Sequence, residues 1–181
     1  MKNSFAPILL TFVQKKGGMT ALTVVNDTGL AFNTKVTYGV KTLKGDKVWK
    51  KTENVFVPAY GVAQVEVTEE VAKENTYLYA ECVVNKETLS TVYSYDMWHT
   101  CAFNSNYTYK VKKTENGLMI TLKAKEFAKG VTLRLPDNYK YTYSDNYFDM
   151  QAGEKKVVYV YGDVNVEDLV VTDFAKEITH A

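Results

Sequence analysis

Residues 107–124 read YTYKVKKTENGLMITLKA, and this stretch decides the fold class. Apolar and polar side chains alternate on both sides of Asn116-Gly117, with the period of an antiparallel strand that has one wet face. Asn-Gly is the dipeptide most typical of a two-residue hairpin turn. The stretch therefore predicts a β-hairpin whose buried face carries Leu118 and Ile120.

The same alternation runs through the N-terminal half of the chain. Turn signals interrupt it at short intervals and cut residues 5–96 into about seven strands. They are Gly17-Gly18, Lys44-Gly45-Asp46, Pro58 to Gly61, and Asn85-Lys86. This number and spacing of strands is typical of an immunoglobulin-like β-sandwich. Residues 69–73 are expected to form one helical turn at a corner of the sandwich.

A second set of strands begins near Ser105, after a segment in which the alternation stops. It contains the hairpin and ends with a strand around residues 169–172, so we expect a smaller sandwich. The predicted fold class is all-β, with two consecutive immunoglobulin-like β-sandwich domains. The first spans residues 1–98, residues 99–104 form a linker, and residues 105–181 form the C-terminal domain.

Charge and the distribution of apolar residues argue against nucleic acid and membrane partners. The net charge is +1 and Arg134 is the single arginine, so the sequence offers little for bidentate contacts to phosphates, and we expect no nucleic acid partner. The apolar run from Phe5 to Val13 is interrupted by Pro7 and Thr11 and is too short to span a bilayer. We therefore expect no membrane partner either.

Catalytic and metal-binding patterns are missing from the sequence. With two histidines and two cysteines, no zinc spacing can be assembled, and no G-x-S-x-G elbow accompanies His99. The glutamates that a glycosidase could use lie at outward strand positions or near turns: Glu66, Glu81, Glu115 and Glu126. We expect no catalytic residue, no metal and no cofactor, so that this chain is not itself an enzyme.

Aromatic side chains offer a weak case for sugar binding. The candidates are Tyr95 and Trp98 in the segment YSYDMW, and Tyr141 in NYKYTY, where tyrosines two apart could line one strand face. Two readings stay open, because such residues are more often half-buried sheet aromatics that pair across strands. Trp98 could equally fill an interface between the two sandwiches.

Residues 143–161, YSDNYFDMQAGEKKVVYVY, contain a cluster of acidic, amide and aromatic side chains, followed by a turn and a strand. The group could be a sugar site, a metal site or a folding device. Asp145 and Asn146 have side chains suited to holding a turn by hydrogen bonds to the backbone. Phe148 and Met150 are expected to enter the core together. A turn at Gly153 would then lead into the next strand, so we interpret the segment as a folding device.

Two stretches together resemble one family. The first stretch is SDNYFDMQAGEKKVVYV, residues 144–160. It resembles the last sandwich domain of glycoside hydrolase family 2 β-mannosidases, in which a similar S-D-N-Y/F-F-D-L-x-P-G-E segment precedes a strand. Met150 and Ala152 replace the usual Leu and Pro. The residues kept are Ser144, Asp145, Asn146, Tyr147, Phe148, Asp149, Gly153 and Glu154. The second stretch is SFAPILLTF, followed by VVNDT at residues 24–28, which is similar to the strands after the catalytic barrel in those enzymes.

The resemblance implies a non-catalytic C-terminal accessory region that packs on the catalytic barrel and stabilises it. The parent enzyme would hydrolyse terminal β-D-mannosides with retention, and both of its catalytic glutamates would lie in the barrel, upstream of this sequence. Met1 is then expected to be a start placed at a domain boundary. The partners implied are the barrel and a manno-oligosaccharide. Two alternatives are an independent carbohydrate-binding module and a pair of cell-surface adhesion sandwiches.

Overall fold

The computed structural model describes residues 6–15, 20–67, 74–93 and 106–178. Within them the chain is all-β and forms two immunoglobulin-like β-sandwiches, as the sequence predicts. The strands divide into two compact units, with the turn Leu43–Gly45 grouped with the second. The predicted linker at residues 99–104, the Gly17-Gly18 turn and the helical turn at residues 69–73 all lie outside the described residues.

The first unit is a sandwich of two antiparallel sheets. Its described strands are β1 (Ile8–Gln14), β2 (Thr20–Asn26), β3 (Phe32–Thr42), β4 (Lys47–Val57), β5 (Gly61–Val67), β6 (Thr76–Val84) and β7 (Glu87–Tyr93). One sheet has the order β1-β2-β5 and the other β4-β3-β6-β7. Leu22 and Val24 from the first sheet and Tyr38 and Leu78 from the second are buried in one cluster, which is the core of the sandwich.

The second unit is also a two-sheet sandwich, with shorter strands. They are β8 (Tyr107–Thr114), β9 (Gly117–Ala124), β10 (Ala128–Arg134), β11 (Thr142–Tyr143), β12 (Phe148–Met150), β13 (Lys155–Tyr161) and β14 (Val170–Thr172). One sheet has the order β12-β10-β14 and the other β11-β13-β9-β8. Its core includes Ile120, Leu133, Met150 and Val158, which are fully buried.

The hairpin predicted from Asn116-Gly117 joins β8 to β9. Thr114 pairs with Gly117, so Glu115 and Asn116 form the two-residue turn. Gly117 has a φ of 140°, and a Cβ there would collide with the carbonyl oxygen of Val160 on β13. Glycine is therefore needed both for the backbone conformation and for the close approach of the next strand.

The described helical structure is small. The one α-helix is α1 (Phe174–Ile178), and its first turn is capped by Asp173, whose carboxylate accepts a hydrogen bond from the Lys176 amide at 3.1 Å. None of the described helices is long and apolar enough to cross a membrane.

Candidate functional site

The segment from Ser144 to Glu154 is tied to the neighbouring strand β10 by the amide of Asn146. The Leu133 N–H donates to Asn146 Oδ1 at 2.8 Å, and Asn146 Nδ2 donates to the Leu133 carbonyl at 2.9 Å. Phe148 pairs with Val131 in the β10–β12 ladder, so the next residues in register are Asn146 and Leu133. The Asn146 side chain thus makes the two bonds that a strand backbone would make there.

Both aspartates of this segment are half-buried and form ion pairs. Asp145 lies 2.8 Å from Lys156 Nζ, and Asp149 lies 2.5 Å from Lys129 Nζ. Asp149 also accepts a hydrogen bond from the Gly130 N–H at 2.9 Å. These carboxylates hold one lysine each and fix the backbone at a glycine with a φ of 59°.

The remaining residues of the segment divide between core and turn. Phe148 and Met150 are buried, and Lys156 Nζ lies 4.4 Å from the centre of the Phe148 ring. Tyr147 directly precedes Phe148, has a φ of 58° and is exposed. Gly153 has a φ of 83°, and its N–H donates to the Ala124 carbonyl at 3.0 Å. The segment runs from the end of β11 through β12 to the start of β13, and its Asp145, Asn146 and Asp149 side chains bond to other parts of this domain.

Tyr141 lies in a different setting from the strand face that the sequence suggested. Residues Asn138–Lys140 form a 3₁₀ turn, and β11 begins only at Thr142. The turn follows Pro136-Asp137, and Asp137 adopts a φ of 54° and pairs with Lys140 at 2.6 Å. As a result Tyr139 is 83% exposed, while Tyr141 and Tyr143 pack against the core cluster. Tyr95 and Trp98 lie outside the described residues.

A fully buried carboxylate, Asp173, was not singled out in the sequence. The Asp173 carboxylate caps α1 and also raises the pKa of Tyr107, after burial of that phenol, by its charge and by a hydrogen bond. Lys176 Nζ donates to the Tyr107 hydroxyl at 3.1 Å. An aspartate directly before the first helical residue, Phe174, is the sequence signal that could have indicated this cap. The cluster joins α1 to β8 and has a structural role.

In the first sandwich, the buried amide of Asn26 holds two loops together. Its Nδ2 donates to the carbonyls of Leu30 at 3.0 Å and Pro58 at 2.8 Å. Its Oδ1 accepts from the amide and the hydroxyl of Thr28. Beyond this network Leu30 is 78% exposed and Tyr60 is 77% exposed, and the Tyr60 N–H donates to the Thr28 carbonyl at 3.0 Å. We call Leu30 and Tyr60 the apolar loop pair.

In the second sandwich, the outer surface of the β8-β9-β13 sheet carries lysines and tyrosines. The strand register places the residues of this surface in four rows across the sheet, and all of them except the buried Gly117 are exposed or half-exposed. From β8 to β13 the rows are Thr108, Lys123, Lys155; Lys110, Thr121, Val157; Lys112, Met119, Tyr159; and Thr114, Gly117, Tyr161. We call this surface the lysine–tyrosine face.

Two kinds of reactive group that the described ranges could hold are a metal site and an activated thiol. No group of three or more His, Cys, Asp and Glu side chains there is placed to hold a metal ion. Cys82 is a buried free cysteine, and burial raises the pKa of its thiol, which disfavours the reactive thiolate.

Two protein-family models match the chain, one for each sandwich. Residues 19–95 match the mannosidase Ig/CBM-like domain, and residues 104–177 match the Ig-fold domain of mannosidases. The chain is a pair of mannosidase-type immunoglobulin-like domains. It therefore belongs with the accessory domains of family 2 mannosidase-like glycoside hydrolases, and the resemblance predicted from the sequence is confirmed.

Solved structures of two glycoside hydrolases contain the same pair of folds. The β-D-mannosidase of Dictyoglomus thermophilum is similar over 96% of this chain, with 20% identity and a TM-score of 0.78. The exo-chitosanase of Amycolatopsis orientalis is similar over 95%, with 15% identity and a TM-score of 0.67. The two domains span 22% and 26% of those chains, respectively. No curated protein matches the sequence.

Proposed function

We propose that these two domains are the non-catalytic C-terminal accessory region of a β-mannosidase-like enzyme and that they pack on its catalytic barrel and stabilise it. We keep residues 1–98 and 105–181 as the domain limits and residues 99–104 as the linker. The observation that carries the proposal is the apolar loop pair, Leu30 and Tyr60.

Large apolar side chains that are this exposed are typical of protein interfaces when they are held rigidly. Tyr60 has a φ of 50°, a strained backbone conformation for a residue with a side chain. The Asn26 amide holds both loops through four hydrogen bonds, so the pair loses little entropy on docking. A partner surface that is apolar and shaped for a tyrosine ring would bury both side chains.

The catalytic barrel of the parent is the partner that we propose for this pair. In the two matched hydrolases, the similar region is about a quarter of the chain or less, and most of each chain lies outside it. An accessory role also agrees with the ion pairs of the second domain, in which Asp145 and Asp149 each pair with a lysine. We therefore propose that the catalytic carboxylates lie in the barrel.

For the substrate of the parent, we propose terminal β-D-mannosides. Both family models are mannosidase models, which favours mannose over other sugars. Binding of a manno-oligosaccharide by the accessory region itself, through Tyr95, Trp98 and Tyr141, is a weaker proposal. Tyr141 has its ring against the core, so only part of it is free to contact a sugar.

The test uses the complete protein encoded by the reading frame that contains this sequence. Leu30→Ser combined with Tyr60→Ser should lower the melting temperature of the catalytic domain by several degrees, because the interface is lost. The matched control is Val48→Ser with Val83→Ser, a second exposed apolar pair on the same sandwich, which should leave that temperature unchanged.

Activity of the complete protein completes the test. Hydrolysis of p-nitrophenyl β-D-mannoside should exceed hydrolysis of the corresponding β-D-glucosaminide. A reading frame without a barrel would overturn the proposed function. Equal destabilisation by the two double variants would overturn the role of the apolar loop pair.

A further inference from the structure

The lysine–tyrosine face is strongly basic although the whole chain is nearly neutral. Four exposed lysines lie on it, and none of its twelve residues is an aspartate or glutamate. The lysines are Lys110, Lys112, Lys123 and Lys155. The chain carries a formal net charge of only +1, so the rest of it has a small formal net negative charge.

Protection of a sheet edge explains only part of this arrangement. β8 is an edge strand, and lysines on an edge discourage pairing with other chains, which accounts for Lys110 and Lys112. Lys123 and Lys155, however, lie on the interior strands β9 and β13. They are direct cross-strand partners, and like charges in that position destabilise a sheet. A ligand with negative charge would relieve their repulsion.

Aromatic rings lie at the other end of the same face. Tyr159 and Tyr161 are exposed, their rings are 15° from parallel, and the ring centres are 6.2 Å apart. Gly117 is the cross-strand partner of Tyr161 and has no side chain to cover the sheet there. A groove of ≈ 590 Å³ adjoins Tyr161 at the β8–β9 turn, and its lining includes the carboxylates of Glu115 and Asp163, so we assign the charged groups of a ligand to the lysine rows and not to this groove. The face thus combines an aromatic surface with several cations.

We propose that the lysine–tyrosine face binds an acidic polysaccharide, one whose sugar rings carry carboxylates. The apolar C–H side of a pyranose ring packs on the negative face of an aromatic ring, which Tyr159 and Tyr161 provide. Successive rows of the face are about 7 Å apart along the strands, so the lysines can reach carboxylates on neighbouring sugars.

An acidic glycan fits this face better than a nucleic acid. Arginine supplies the bidentate phosphate contacts typical of nucleic acid sites, and here Arg134 pairs with Glu177 at 2.6 Å, on β10 in the other sheet. The proposal is independent of docking on a barrel, because the apolar loop pair is on the first sandwich and the lysine–tyrosine face is on the second.

The experiment is a titration of the purified 181-residue chain with alginate and with polygalacturonate, followed by calorimetry at low and moderate salt. Neutral mannan and a single-stranded oligonucleotide serve as competing ligands. We expect binding to at least one polyuronate, weaker binding as salt increases, and little binding to mannan. Lys110→Glu with Lys112→Glu should weaken polyuronate binding by about tenfold or more.

Two further variants separate the aromatic contribution from charge. Tyr159→Ala with Tyr161→Ala should weaken binding several-fold with no change in its salt dependence. Lys47→Glu with Lys50→Glu, on the exposed strand β4 of the first sandwich, should have little effect. Circular dichroism of each variant checks the fold.

Three results would overturn the proposal. They are no binding of either polyuronate, equal weakening by the β4 control, and tighter binding of the oligonucleotide than of any polyuronate.

Discussion

Replacing Asn146 with alanine should destabilise the second sandwich more than its partial exposure suggests. The Asn146 amide satisfies both the N–H and the carbonyl of Leu133, a residue that is fully buried. A buried main-chain group without a partner costs about 1–3 kcal/mol. Because alanine leaves two such groups, we expect a loss of about 2–4 kcal/mol in the free energy of unfolding, with water reaching part of the gap.

Amide hydrogen exchange measures this loss in the correct domain. With two sandwiches in the chain, a single melting curve need not report one transition. The Ile120 amide on β9 is at the centre of the second core, so its exchange reports opening of that unit. In the Asn146→Ala variant its exchange should accelerate by about 30- to 1,000-fold.

Two other variants serve as comparisons for Asn146→Ala: one changes only part of the amide, and the other removes an amide at an exposed turn. Asn146→Asp keeps the acceptor for the Leu133 N–H but loses the donor, and its charged carboxylate would face a carbonyl oxygen. The pKa of that aspartate should be raised, so the variant is most stable at low pH and loses stability as pH rises through the folded-state pKa. Asn165→Ala, at an exposed turn, should change stability by less than about 0.5 kcal/mol. If Asn146→Ala cost no more than Asn165→Ala, the bridging role of the amide would be refuted.

Three further changes test other parts of the structure. Phe148→Ala should cost about 3–5 kcal/mol, since the ring is buried, and unaltered exchange protection in the second sandwich would show that the ring does not contribute to the core. Asn26→Ala should release both loops and increase cleavage there in limited proteolysis, whereas an unchanged digestion pattern would contradict the loop-bridging role. Burial and adjacent carboxylates raise the pKa values of Tyr38 and Tyr107, so stability should persist below about pH 10 and fall at higher pH. Alkaline urea titrations should show a weaker fall for Tyr38→Phe, and an identical fall would contradict the assignment.

Local turn chemistry was enough to predict the strand pattern. Asn116-Gly117 predicted the β8–β9 hairpin, although the two turn residues are Glu115 and Asn116, one position earlier, and the positive φ belongs to Gly117, the first residue of β9. Asn85-Lys86 likewise predicted the turn between β6 and β7, although Lys86 adopts a φ of 68° without being glycine. These turn signals depend on two or three adjacent residues, so they can be recognised from the sequence without knowledge of the tertiary structure.

Features that depend on residues far apart in the sequence could not be predicted from local turn residues. The sequence indicated a turn at Asn146, but its bonding partner Leu133 is thirteen residues earlier on another strand. The tyrosines around residue 141 follow a strand period, yet Asn138–Lys140 form a 3₁₀ turn, and Tyr141 and Tyr143 are half-buried against the core. The lysine–tyrosine face needs the pairing of β13 with β9, which no local pattern specifies.

Association between this chain and the separately produced catalytic remainder of the parent is the most direct test of the proposed accessory role. The 181-residue chain should bind that remainder in solution and raise its melting temperature, by an amount that increases with the concentration of added chain. Leu30→Ser with Tyr60→Ser should abolish both effects, while Val48→Ser with Val83→Ser should preserve them. No association of the unaltered chain with the remainder at high micromolar concentration would contradict the proposed function.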